Sequence, residues 1–527
     1  MESSQIKGLF IIVLAAMFAV YLGVAAATAS FEAVAWVAGF LGIAFVLALG
    51  KNIWCLIPLA AILQGTINGI SGSPPVWALA MVVVFTMFVI RLAMRRPEFS
   101  FRLDLLDIAV LLQAVVVGQA YLRNPAGLLF FGGQFAGGKP YYIFAAAIAA
   151  YFCLAFVRPE AKTIRLVVIG MIVLALGDGL IAMISDRSPS FGSMVLRFYS
   201  NANLMVAKAG SVSVDLDVSR GGSGFAMLGK ALVVPCFCMI RPLKCLSPFR
   251  PVIFLSVAIG SAMVLLSGFR SGVAYLGAIY VASALARRKV IDVVAVGVVC
   301  MVGLAILLMS GQIKSMPFGI QRVLSVLPVE VRADAREDAE NSTRWRFEMW
   351  KLALTTDRYI QNKALGDGFA LSTVEMRAIL DSIDGYSGPV ADSQEQMLSQ
   401  GSYHGFHVET IRFTGVVGLV AALFFMGVAF NRALKAMRYF FRNPLFPYIG
   451  YLCVPPLLYP FWSMLVFGSY RIEFPQMIVM AGMIKMLDNL RRSESIQPVP
   501  VIEPVGRQAG RAGLAAPAFL SAKKGRA

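Results

Sequence analysis

Along this chain the apolar residues come in unbroken blocks about 20 residues long, without the alternation of a half-buried strand or the heptads of a coiled coil. Fourteen blocks read as membrane helices: 8–29, 33–50, 53–70, 75–94, 105–122, 140–157, 164–185, 224–240, 250–267, 271–286, 290–310, 407–430, 445–467 and 473–489. A helix of roughly 20 apolar residues spans a hydrocarbon core of about 30 Å. The expected fold is therefore all-α, a polytopic transmembrane bundle of about 12–14 spans with a large, partly helical extramembrane loop. Block 8–29 follows Lys7 and lacks a small-residue cleavage site, so it reads as a retained span with the chain start in the cytoplasm. The polar stretches divide the chain into spans 1–185, a loop 186–223, spans 224–310, a large loop 311–406, spans 407–490 and a tail 491–527.

Composition agrees with the pattern: 58% of residues are hydrophobic and 14% charged, with a mean hydropathy of +0.74. Charge supplies the orientation. The segments 91–102, 158–165, 241–250, 286–289 and 431–442 are all basic, whereas the turns 30–32 and 71–75 hold no Lys or Arg. By the excess of basic residues on cytoplasmic loops, both termini are inside and loops 186–223 and 311–406 are outside. Topology and a basic, Pro/Ala/Gly-rich tail thus account for much of the net charge of +18, and no nucleic acid is needed. That tail reads as disordered, with Lys523, Lys524 and Arg526 available to anionic membrane lipids. The seven cysteines lie in or beside apolar blocks with no Cys-x-x-Cys pair, so they read as small hydrophobes.

Candidate chemistry gathers at the outside ends of the blocks. Both histidines of the chain, His404 and His407, occur in "SYHGFHVETIRF". A helix begun at His404 would place His404, His407 and Ile411 on one stripe, and an imidazole is a natural general base near neutral pH. An interfacial histidine that only packs is the plain alternative. Arg270, in "LLSGFRSGVAYL", is a lone arginine in a short turn between two apolar blocks, a costly place that usually signals function. Arg471 in "FGSYRIEF" is similar, although Glu473 offers it a structural ion-pair partner. In "NSTRWRFEMWKLAL", Arg344 and Arg346 lie on an amphipathic helix with Phe347, Trp350, Leu352 and Leu354, followed by the Gly366-x-Gly368 turn, and arginines there can clamp an anion bidentately. Asp215-x-Asp217 has the form of a metal motif but lies in an outside loop, and no His/Cys/carboxylate cluster has metal spacing.

Taken together, these stretches resemble the O-antigen ligase and polymerase superfamily of membrane glycosyltransferases. His404 begins a pattern of His, ten residues, Gly415, two residues, Gly418. "LLSGFRSGVAYL" resembles the family's Arg-containing turn, with Arg270 matching its arginine; "RFEMWKLAL" then "ALGDGF" resembles its periplasmic segment, with Arg346 the better match and Arg344 the alternate. "RGGSGF", with Arg220, resembles a weaker stretch. The likeness runs from about 220 to 430, in family order. It departs at Gly405, where the family usually has Asn, Ser or Gln, which leaves open whether His407 shares the polar role.

The resemblance implies an inverting, metal-independent transferase of the bacterial inner membrane with no cofactor. It would polymerise surface polysaccharide (O-antigen or exopolysaccharide) from undecaprenyl-diphosphate-linked glycan onto a sugar hydroxyl. His404, Arg270 and Arg346 would be catalytic, and Arg344, Arg220, His407, Arg471, Gly366 and Gly368 would bind substrate. The implied partners are the lipid-linked donor, the acceptor, membrane lipids and a chain-length regulator. A ligase delivering finished glycan to the lipid A core of lipopolysaccharide, or to protein, shares these motifs, and the insert between Gly368 and His404 leans toward the polymerase. A transporter would instead place charges near the bilayer midplane and show repeat symmetry.

Overall fold

The structure is a computed structural model, and it describes residues 48–68, 73–94, 102–126, 137–201, 223–327, 329–370 and 401–496, with 42, 46, 70 and 398 singly. The expected span 8–29, most of 33–50, Arg220, Asp215, Asp217, residues 371–397 and the tail beyond 496 lie outside the described residues.

The described chain is almost wholly helical. In order come α1 (Leu56–Ile62), β1 (Gly65–Ile67), α2 (Val76–Ala93), α3 (Leu105–Arg123), α4 (Gly138–Ala155), α5 (Ala161–Arg187), α6 (Pro189–Leu196), β2 (Tyr199–Asn201), α7 (Ser223–Met239) and α8 (Pro251–Leu266). They are followed by α9 (Arg270–Ala286), α10 (Val290–Ser310), α11 (Phe318–Leu324), α12 (Ala333–Thr355), α13 (Phe406–Tyr439), α14 (Phe446–Leu465) and α15 (Glu473–Ile496). Six of these, α2, α3, α4, α5, α10 and α13, are long and apolar enough to cross a membrane.

Block 53–70 is not one span. Its start is a 3₁₀ segment, Gly50–Cys55, then α1, and its end is β1, paired antiparallel with β2. The reason lies in the polar residues at its end: the Thr66 hydroxyl meets that of Ser200 at 3.0 Å, and the Asn68 amide donates to the Leu196 carbonyl at 2.6 Å.

Helix α10 shows what surrounds the bundle. Its one buried residue is Asp292, held by the Arg241 guanidinium at 2.9 Å, while Ile291, Val299, Met301 and Met309 are all more than half exposed. A helix that hides its carboxylate and turns its aliphatic side chains outward is stable where the outside is lipid.

The interior is packed by α3, α4, α7, α13, α14 and α15, with Phe144, Tyr151, Phe425 and Phe474 fully buried. A polar network ties together one end of it. Asp104 and Asp107 cap α3 reciprocally; Lys485 of α15 donates to Asp104 at 2.6 Å and to Asp107 at 2.8 Å; Tyr151 of α4 donates to Asp107 at 2.7 Å; and Arg432 of α13 bridges Asp104 and Asp488, each at 3.1 Å. The opposite end carries α12 and the segments around 362–370 and 401–406. There α12 shares a second small core, including Met349, Ala353, Ile360, Tyr403 and Val408, with the start of α13. Met349 and Ala353 form the buried face of α12, whereas Phe347 and Leu352 of the expected apolar stripe are exposed.

Candidate active site

Four basic side chains meet at this second end, brought by elements far apart in sequence. Arg270 is the first residue of α9, and its Nη2 donates to the Ala339 carbonyl at 2.9 Å and to the Thr343 hydroxyl at 3.2 Å. Ala339, Thr343 and Arg346 lie on one face of α12 at helical spacing, so Arg270 is held beside Arg346. Arg344 points elsewhere and is exposed. The charges of Arg346 and Arg322 both act on Arg270. Arg322, on α11, is buried, paired with Asp338 of α12, and donates to the Gly268 carbonyl at 3.2 Å. Sequence reading passed over Arg322 because α11 follows a polar stretch; the signal was an arginine inside the otherwise apolar "FGIQRVL".

His404 completes the group. It lies just before α13 in left-handed backbone, φ +51°, a conformation uncommon for a residue with a Cβ. Its half-buried ring stacks on Phe467 with centroids 5.3 Å apart. Among the described residues it has no hydrogen bond, so both ring nitrogens are available to a ligand. Burial, and then the charge of Arg346, hold its pKa below that of free imidazole, which keeps it neutral. Arg346 in turn is held below the ordinary guanidinium range by burial and by Arg322.

The two histidines are not on one stripe. Helix α13 begins at Phe406, after an extended Gly405, so His404 precedes it and turns toward Phe467. His407 faces the Trp350 ring edge-on at 4.8 Å, and its buried Nδ1 has no hydrogen-bond partner. Trp350 also explains Gly405. Its indole donates to the Tyr403 carbonyl at 2.7 Å, and a Cβ at position 405 would lie 2.8 Å from the ring.

Gly366 and Gly368 dock a loop rather than facing His404. Helix α13 is broken at Gly415, φ +74°, and the freed backbone bonds the loop: Gly368 N–H donates to the Phe413 carbonyl at 3.1 Å, Asp367 N–H to that of Arg412 at 2.8 Å, and Val416 N–H to that of Lys363 at 2.9 Å. Asp367 then pairs with Arg412 at 2.5 Å, and Arg123 of α3 donates to the Gly366 carbonyl at 2.7 Å. Arg471 packs over the Phe413 ring at 4.9 Å, and the nearby opposite charge is Glu409, not Glu473 as expected. Glu409 is buried and accepts from the Ser469 hydroxyl at 2.8 Å and the Tyr470 N–H at 2.9 Å. Arg471 therefore sits among Phe413, Glu409 and Tyr403.

The arrangement offers one neutral imidazole, its nitrogens unengaged among the described residues, beside fixed guanidinium groups at one end of an apolar bundle. That constellation suits proton removal next to a developing anion. No protein-family model matches the chain, and no curated protein is significantly similar to it.

Proposed function

We propose that the chain is a membrane glycosyltransferase of the O-antigen ligase and polymerase type, which joins polysaccharide repeat units carried on undecaprenyl diphosphate at the periplasmic face of the bacterial inner membrane. The observation that carries the reading is the meeting of Arg270, Arg346 and His404, from three separate elements, where a lipid-borne diphosphate and a water-exposed acceptor hydroxyl can both arrive. In this reading the bundle has 12–14 spans with both termini cytoplasmic, and α12 belongs to the periplasmic loop 311–406.

The mechanism follows from the charges. Arg270 and Arg346, backed by Arg322, hold the diphosphate. Neutral His404 accepts the proton of the acceptor hydroxyl as its oxygen forms the new bond to the anomeric carbon and inverts it. The bond from that carbon to the diphosphate oxygen breaks, and undecaprenyl diphosphate leaves with its added negative charge against the guanidinium groups. A positioned base of this kind contributes roughly 10²–10⁴ in rate, and holding donor and acceptor together supplies much of the rest.

The test is incubation of the purified chain with an undecaprenyl-diphosphate-linked repeat unit. The expected result is longer glycan on the lipid and release of undecaprenyl diphosphate, unaffected by a metal chelator; no elongation with donor and acceptor lipids both present overturns the polymerase reading.

A further inference from the structure

Below the arginine cluster the bundle holds a further cation without an ion-pair partner among the described residues. Lys230, on α7, makes no hydrogen bond or ion pair among the described residues; its ammonium lies 5.9 Å from the centroid of the Tyr275 ring, at the outer edge of a cation–π contact. Helix α7 is enclosed by α5, α8, α9 and α14, so this is an interior lysine and not one that reaches headgroups from the bundle surface. Its Cε lies 4.0 Å from where a Cβ on Gly272 would stand, which places the lysine side chain beside the first turn of α9, two residues from Arg270. That turn has no side-chain cap.

Other groups define the surroundings. Glu473, at the start of α15, is close enough for its charge to act on Lys230 but does not bond it, being engaged instead by the Ser469 N–H at 3.4 Å. Tyr275 packs edge-on against Trp462 of α14. Lys230, Tyr275, Trp462 and Glu473 are all half-buried. By the rise of a helix, Lys230 sits about 10 Å below the start of α7, on the membrane side of Arg270. An interior lysine in an apolar bundle with no partner of its own is a ligand-binding group by default.

The geometry points to Lys230 as a phosphate ligand: it takes the lipid-side phosphate of a polyprenyl-linked donor from within the bundle, while Arg270 and Arg346 take the sugar-side phosphate. This rests on the glycosyl-transfer reading and adds to it the depth and direction from which the donor enters. The shared chemistry is a phosphate on a hydrophobic chain, which an ordinary phospholipid also offers, so the experiment carries both.

The full-length chain is reconstituted in phosphatidylcholine nanodiscs, and binding of undecaprenyl diphosphate and of phosphatidylglycerol is measured by native mass spectrometry, together with thermal stability. Lys230→Gln is expected to weaken undecaprenyl diphosphate binding about ten-fold or more, with Lys230→Arg weakened far less and phosphatidylglycerol little changed. Lys230→Met, which removes an unpaired interior charge, is expected to leave lipid-free stability equal or higher while losing lipid affinity. Unchanged affinity in Lys230→Gln overturns the assignment, as does a fall in lipid-free stability of Lys230→Met, which would make the lysine structural. Equal loss of both lipids overturns it too, in favour of a general headgroup site. Failure of the unsubstituted protein to bind undecaprenyl diphosphate at all would instead remove the glycosyl-transfer reading itself.

Discussion

His404 joins strain, stacking and charge in one residue. Left-handed backbone costs a residue with a Cβ about 1–2 kcal/mol, and here it serves to turn the chain so that the imidazole leaves the path of α13 and meets Phe467. Burial and Arg346 lower its pKa, so the sign of the pH effect is fixed. The folded protein keeps the imidazole neutral below the free value of about 6.5. The corresponding stability is present above that value and is lost as pH falls from it toward the folded pKa, because the unfolded chain protonates first. The chain has two histidines, so His407→Gln leaves one imidazole signal by nuclear magnetic resonance. It should titrate below pH 6.5, and Arg346→Gln should move it upward; a titration at or above the free value, or no movement, would show that Arg346 does not act on it. The sequence made the pair of histidines visible but not their divergence. A non-glycine residue at positive φ leaves no trace in composition, and Gly405 is explained only by Trp350, which is distant in sequence.

At the scale of elements, the apolar blocks placed the helices well where the whole block is lipid-facing or core, as for 105–122 against Leu105–Arg123. They failed at 53–70, where Thr66 and Asn68 find partners in β2 and near it. The break in α13 is a finer case. Gly415 was visible as part of a signature, yet its task is to open the helix so that residues 363–368 can bond to it. A Cβ there would lie 2.1 Å from the Ala364 carbonyl oxygen. Gly415→Ala should therefore cost about 2–4 kcal/mol, from a backbone clash added to left-handed strain, and should expose Asp367 and its loop to proteolysis. Gly427→Ala, in the same helix with open space around its Cα, should be neutral or slightly stabilising. Equal thermal stability of the two variants would mean that the loop is not docked in the break.

As a whole the molecule has two unlike ends. One is locked by Asp104, Asp107, Lys485, Arg432 and Asp488, which satisfy one another across α3, α13 and α15. The other carries Arg270, which gives two hydrogen bonds, and His404 and, deeper in the bundle, Lys230, which give none among the described residues. In the proposed reading Arg270 and Lys230 are among the groups that receive the diphosphate. On the proposed reading, the sugar and the acceptor were not legible in the sequence, because a diphosphate site would not encode the glycan beyond it. The most direct measurement is transfer from purified lipid-linked donor by His404→Ala, His407→Ala and Arg270→Lys, with donor binding followed in parallel. The account predicts that His404→Ala abolishes transfer while keeping donor binding nearly intact, that Arg270→Lys is severely impaired because an ammonium cannot reproduce the guanidinium fork, and that His407→Ala loses far less. Full transfer by His404→Ala, or loss confined to His407→Ala, would contradict it.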